Sequence, residues 1–176
     1  MTKITCQLAV DLNLDKARLP LMGFHKVDGV RGVHVTGGLT GRSMDPFKNS
    51  AIVAMFADPV YTGFDGEMTI DGRLTGQDLC SLTTGLMNRA KVKKGEEGLP
   101  FSVLWNLFDY LAPDIVGLCY FERYQALATY LQNTVCDNVN LLPFTWIYNV
   151  EQAEAWIEKC LAEGYEGAIF RDPQAM

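Results

Sequence analysis

The chain is expected to fold as one mixed α and β domain. Three observations carry that expectation: its length of 176 residues, short strand-like runs closed by Asp-Gly dipeptides, and stretches where apolar residues recur at helical spacing. Internal repeats, low-complexity tracts and linker-like segments are missing from the sequence, so a single unit is expected.

Residues 23–36 read as two short strands around an Asp28-Gly29 turn, with Val30, Val33 and Val35 supplying β-branched positions. Gly37-Gly38 breaks that pattern, and Leu39 to Asn49 reads as a loop with a turn at Asp45-Pro46. Asn49 or Ser50 is placed to cap a short helix through Ile52, Val53 and Phe56. Tyr61 to Ile70 alternates as a strand, closed by Asp71-Gly72. Residues 76–92 predict a helix with Leu79, Leu82, Leu86 and Met87 on one face, followed by a polar loop from Gly95 to Pro100.

Phe101 to Tyr110 is an apolar run of strand length, as expected for a strand buried on both faces. Phe121 to Val135 predicts an amphipathic helix through Tyr124, Leu127, Ala128 and Leu131, and Leu142 to Tyr148 a further strand. Val150 to Leu161 has the clearest helical period, in Val150, Ala153, Trp156, Ile157, Cys160 and Leu161, with Glu151 in its first turn. Gly164 ends that helix, and Tyr165 to Arg171 predicts a last strand.

Composition narrows the function classes. Hydrophobic residues make up 48% and charged residues 20%, an ordinary globular balance, and no apolar run is long enough to cross a bilayer. The N-terminal Met1 to Gln7 carries one basic residue and no sustained apolar core, so a secretory leader is not expected. The five cysteines (Cys6, Cys80, Cys119, Cys136 and Cys160) are scattered, and with only His25 and His34 beside them they argue against a zinc site. They fit reduced thiols in a cytoplasm. The net charge of −6 runs against a nucleic-acid surface; the one basic run, Arg89 to Lys94, reads as a solvated helix end.

The stretch that bears most on chemistry is Lys26-Val27-Asp28-Gly29-Val30-Arg31. Alone, a lysine before Asp-Gly reads as a strand end entering a tight turn. Four further segments follow it in order. They are Gly41-Arg42-Ser43 in a polar loop, Phe64-Asp65-Gly66-Glu67 on a strand, Val103 to Tyr110 ending in an aromatic-Asp pair at Phe108-Asp109, and Glu166-Gly167-Ala168-Ile169-Phe170-Arg171.

In this order the segments resemble nucleotidyltransferase motifs I, Ia, III, IIIa and IV of ATP-dependent DNA ligases, and their wording is similar to the small bacteriophage type. The resemblance spans residues 21–173. It implies an α+β, ATP-grasp-like adenylation domain of antiparallel sheets flanked by helices. It further implies that Lys26 attacks the α-phosphorus of ATP to form lysyl-AMP, that AMP passes to the 5′-phosphate of nicked duplex DNA, and that the 3′-hydroxyl seals the nick. Asp28 would orient the lysine or a hydrated Mg²⁺ or Mn²⁺, besides forming the turn. Arg31 and Arg42 would contact ribose or phosphates, and their plain alternative is a surface ion pair. Glu67 would touch the nucleotide and help order the metal, and Phe108 would stack on adenine or else pack in the core. Glu166 is the better metal candidate of the two glutamates, and His25 is expected to wall the nucleotide pocket.

Such ligases carry a further K-x-K strand and a C-terminal oligonucleotide-binding fold. Nothing after Arg171 supplies a K-x-K, so residues 1–176 are expected to be a partial adenylation domain, impaired alone, with an exposed sheet edge. The compartment would be the cytoplasm, that of a bacterial host for a phage-encoded chain, with no membrane partner. An RNA ligase, an mRNA-capping guanylyltransferase, and a non-catalytic nucleotide- or DNA-binding remnant or split-protein half stand as alternatives. RNA-end sealing, a GMP adduct and binding without an adduct would distinguish them.

Overall fold

A computed structural model describes residues 12–35, 37–90 and 102–176. Lys91 to Lys94 of the basic run, the Gly95–Pro100 loop, Phe101 and the Met1–Gln7 segment lie outside the described residues. Among the described residues eight strands and four α-helices are seen in the order β1 (Leu21–His25), β2 (Val30–His34), β3 (Leu39–Thr40), α1 (Ser50–Met55), β4 (Phe64–Ile70), α2 (Leu79–Met87), β5 (Val103–Tyr110), α3 (Tyr120–Asn133), β6 (Val139–Leu141), β7 (Phe144–Ile147), α4 (Val150–Ala162) and β8 (Ala168–Arg171). No helix among these is long and apolar enough to cross a membrane.

The strands form two sheets, one ordered β3-β2-β4-β5-β6 and the other β7-β1-β8. Neighbours are antiparallel except β5 and β6, which run parallel. β1 and β2, expected to flank one turn, pair with different partners in different sheets. The Lys26–Gly29 link is therefore a crossover between sheets. Gly29 is required there by space: a Cβ would lie 2.2 Å from the Met68 carbonyl oxygen on β4. The second Asp-Gly is a turn with both residues left-handed, Asp71 at φ 56° and Gly72 at φ 65°.

The expected strand from Leu142 to Tyr148 is seen as β7, and a further short strand, β6, precedes it in the other sheet. Pro143 lies between them; it has no N–H to donate to a ladder, and the chain changes sheets there. α1 begins where Asn49 accepts from the Ala51 and Ile52 N–H groups, and α4 where Asn149 accepts from Gln152. α2 buries Leu79, Thr83, Leu86 and Met87, and Leu82, expected on that face, is 45% exposed because it falls one position off the stripe. α3 stops at Asn133, so Val135, expected at its end, is 89% exposed. Leu161, expected on the apolar face of α4, is likewise exposed, while Ala153 and Cys160 are buried.

The larger core lies against one face of the five-stranded sheet, around Phe56, Phe64, Met68, Trp105, Leu107 and Leu127. A second core joins the small sheet to α3 through Met22, Phe24, Phe108, Tyr120, Tyr124 and Leu142. Aromatic edges dominate both: Phe24 meets Tyr120 and Tyr124 edge-on at 6.2 and 5.9 Å, and Phe64 meets Trp105 at 5.9 Å.

Candidate functional site

The β4–β5 ladder explains how a buried strand presents a side chain to a cleft. Asp65 pairs with Asp109 and Gly66 with Leu107, which leaves Phe108 as an extra residue without a partner in the register. The bulge breaks the alternation of faces after Phe108 and returns Tyr110 to the face of Leu107. Val103, Trp105, Leu107 and Tyr110 stay in the large core, while Phe108 joins the second core and lines a cleft. Gly66 makes the bulge possible, since a Cβ there would sit 2.3 Å from the Asn106 carbonyl oxygen.

The bulge also sets two carboxylates opposite each other, each neutralised by its own arginine. Arg31 on β2 donates Nε and Nη2 to Asp65 at 2.5 and 2.6 Å. Arg123 on α3 donates the same pair of nitrogens to Asp109 at 2.8 and 3.0 Å, and its Nη1 to the Leu118 carbonyl at 2.9 Å. Asp65, Asp109 and Arg123 are 1%, 3% and 2% exposed. Burial pushes the Asp65 carboxyl up, and the Arg31 fork pulls it back. With two donors committed to Asp65, the Arg31 guanidinium is held 4.5 Å from the centre of the Phe108 ring.

The cleft lies where the two sheets meet. Phe24, Val27, Phe108, Leu142 and Ile169 form apolar walls, and His25, Glu67 and Arg171 add polar groups. Arg171, on β8, places its guanidinium 5.0 Å from the Phe108 ring and 5.1 Å from that of Tyr120. Tyr120 in turn donates its hydroxyl to the Phe108 carbonyl at 2.6 Å. Burial pushes Glu67 up to about 7; Arg31 opposes that shift, and the neighbouring Asp65 and Asp28 charges add to it. Asn106 donates to the Glu67 carbonyl at 3.0 Å and tethers the strand behind that side chain.

Lys26 follows the last residue of β1 at the rim. Its Nζ lies 2.7 Å from Glu166 Oε2, with the two side chains 39% and 50% exposed, and its backbone N–H donates to the Gly167 carbonyl at 3.0 Å. His25, beside it, pairs its Nε2 with Glu163 at 2.8 Å and packs between the rings of Trp156 and Tyr165.

Of the residues singled out in the sequence, His25, Glu67 and Phe108 line the cleft. Lys26 and Glu166 meet at its rim, Asp28 acts on Glu67 from the crossover, and Arg31 lies against Phe108. Arg42 is elsewhere: it sits exposed in the turn closed by the Met44 N–H donating to Gly41, and is not among the cleft-lining residues. Among the described residues no group of three or more His, Cys, Asp and Glu side chains converges to hold a metal. Sequence reasoning missed the roles of Asp65, Arg123 and Arg171. Asp65 shares a β4 face with Glu67 by simple alternation, and that was its only signal; Arg123 gave none.

No protein-family model and no curated protein sequence matches the chain. Among solved structures, Chlorella virus DNA ligase-adenylate is similar, with a TM-score of 0.73 and 23% identity over 94% of this chain and 59% of that one. A Lig E DNA ligase matches with a TM-score of 0.67 and 17% identity over 99% and 64%. The ATP-dependent DNA ligase of bacteriophage T7, in complex with ATP, matches with a TM-score of 0.57 and 18% identity over 92% and 59%. The chain therefore has the α+β nucleotidyltransferase fold of ATP-dependent DNA ligases, and it spans about three fifths of the length of these proteins.

Proposed function

We propose that this chain is an adenylation domain that takes AMP from ATP onto Lys26, as the first step of DNA-nick sealing. The observation that carries the reading is the placement of the Lys26 amine, held by Glu166 at the rim of an apolar cleft floored by Phe108, in a fold shared with ATP-dependent DNA ligases.

The apolar walls suit a purine, with Phe108 as its platform and Val27 and Ile169 beside it. Glu67 is available to a ribose hydroxyl or a cation, either of which would relieve its buried charge. An ammonium is no nucleophile, so the Lys26 Nζ must give up a proton to water before it attacks, and the Glu166 carboxylate 2.7 Å away holds the amine in place. The Nζ lone pair then forms the N–P bond at the α-phosphorus. The P–O bond to the β-phosphate breaks, and its electron pair leaves with pyrophosphate. Holding the amine in line with that bond is the main contribution expected of the protein.

Glu67 and Glu166 are the carboxylates that would hold Mg²⁺ or Mn²⁺, completed by phosphate oxygens and water, as such ions prefer. When bound, the ion supplies positive charge for the triphosphate. Transfer of AMP to a 5′-phosphate and attack by a 3′-hydroxyl complete the proposed reaction, with nicked duplex DNA and ATP as partners and the cytoplasm as compartment. The whole reaction is proposed for a protein carrying the K-x-K strand and oligonucleotide-binding fold in addition to residues 1–176.

The test is the intact mass of the chain after incubation with ATP and Mg²⁺, beside Lys26→Ala. A gain of one adenylyl group that the variant lacks supports the proposal. An equal gain in Lys26→Ala contradicts it.

A further inference from the structure

We propose that loop 163–167 is a clamp on the lysine-bearing strand end, with His25 as a positioning residue that acts on Lys26 through Glu163. The loop grips two successive residues at three points. Glu163 Oε2 accepts from His25 Nε2 at 2.8 Å, Glu166 Oε2 pairs with Lys26 Nζ at 2.7 Å, and the Gly167 carbonyl accepts from the Lys26 N–H at 3.0 Å.

Glu163, Gly164 and Tyr165 are tied to α4 by N–H groups that donate to the Lys159, Leu161 and Cys160 carbonyls, so the side-chain anchors matter most for Glu166 and Gly167 beyond them. Gly164 at φ 87° and Gly167 at φ 154° occupy regions that glycine enters freely, so the segment between α4 and β8 has more conformers open to it than an ordinary connection. His25 is the better buried of the two side chains that the loop holds. Its ring lies 4.8 Å from that of Trp156 and 4.2 Å from that of Tyr165, and its side chain is 16% exposed against 39% for Lys26. Trp156 is itself fixed on β1, where a Cβ on Gly23 would meet its ring at 3.0 Å. The chain of contact runs from α4 through His25 to Glu163, and from there along the loop to the Glu166 carboxylate on the amine. His25 lines the cleft, yet its outward nitrogen faces Glu163, so its contribution is to where the amine stands.

The geometry stands independently of the Lys26 chemistry proposed above; only its consequence for adenylation rests on that reading. The experiment therefore has two arms on the full chain. In the first, amines are acetylated with a limiting pulse of acetic anhydride and quantified by peptide mass, with exposed Lys48 as internal reference. His25→Phe keeps a ring in the stack and removes the hydrogen bond; Glu163→Ala removes the acceptor from an exposed position. Each is expected to raise Lys26 acetylation relative to Lys48 by about threefold, as release from a half-exposed ion pair allows. The double variant is expected to add nothing further, because both changes cut one link. Unchanged Lys26 reactivity in folded Glu163→Ala, or effects that multiply in the double variant, would overturn the clamp.

The second arm follows adenylation over time at several ATP concentrations. The maximum rate is expected to fall about tenfold with the half-saturating ATP concentration unchanged, and His25→Gln, which retains a side-chain N–H donor, to recover most of it. A raised half-saturation at an unchanged maximum rate would assign His25 to nucleotide binding and overturn the positioning role. If the wild-type chain takes up no adenylyl group, the nucleophile reading fails by itself, and the acetylation arm still decides the clamp.

Discussion

Replacing Arg123 with methionine tests whether the paired-carboxylate arrangement behind Phe108 is correctly understood. Arg123 is 2% exposed, gives two hydrogen bonds to Asp109 and one to the Leu118 carbonyl, and lies against the Tyr120 ring at 5.5 Å. Methionine retains much of the aliphatic volume and removes every donor. Asp109 would then keep only the Tyr110 N–H, at 2.8 Å, with Asp65 opposite it in the ladder. Removing one partner of a buried ion pair costs about 3–5 kcal/mol, mostly from the charge left behind. With a urea slope of about 2 kcal/mol per molar, the unfolding midpoint should fall by about 2 M at an unchanged slope. Adding Asp109→Leu should return the midpoint to within about 0.5 M of wild type, since the abandoned charge is gone. A single-variant loss below about 1 kcal/mol, or a double variant no better than the single, would refute the reasoning.

Three further expectations follow from particular side chains. Gly29→Ala places a Cβ against the Met68 carbonyl and should cost about 1–3 kcal/mol, read as a lowered thermal midpoint; an unchanged midpoint would mean the crossover is slack. Glu67 titrates at about 7 in the fold against an ordinary 4.5, so its contribution to stability is full below pH 4.5 and is lost as pH rises to about 7. Glu67→Gln should therefore be the more stable protein at pH 8, by about 2–3 kcal/mol, and a variant less stable there would contradict the shift. His34 is 1% exposed, and burial lowers its pKa against the smaller opposing pull of the His34 and Phe56 backbone. Its contribution is present above pH 6.5 and lost as pH falls below that value, so His34→Phe should flatten the acid limb of the stability curve.

Much of the fold was legible because periodicity reports burial. The apolar run at β5 and the stripes of α3 and α4 were recognisable without tertiary information, as were the caps at Asn49 and the stop at Gly164. What escaped was pairing. Lys26 to Gly29 reads locally as a hairpin turn, and only the partners of β1 and β2 reveal a crossover between sheets. Leu142 to Tyr148 reads as a strand and is one from Phe144 to Ile147, but the short parallel strand β6 before Pro143 has no pattern of its own. At the site, ordered motifs drew attention to Lys26, Glu67, Phe108 and Glu166, all of which lie at the cleft or its rim. Alternation from Trp105 and Leu107 sets Phe108 on the cleft face, whereas the bulge that returns Tyr110 to the large core is a property of two strands in register, and no single-strand pattern encodes it. Arg123 meets Asp109 across the β5–α3 connection, a contact that helical spacing alone does not indicate.

The central claim concerns one amine. The most direct measurement is to incubate the chain with ATP and Mg²⁺, digest it, and map the AMP-bearing peptide by tandem mass spectrometry before and after adding pyrophosphate. The account predicts an acid-labile adenylyl group on Lys26 that pyrophosphate removes with regeneration of ATP. AMP on another residue, or no adduct in a folded chain that binds ATP, would contradict it.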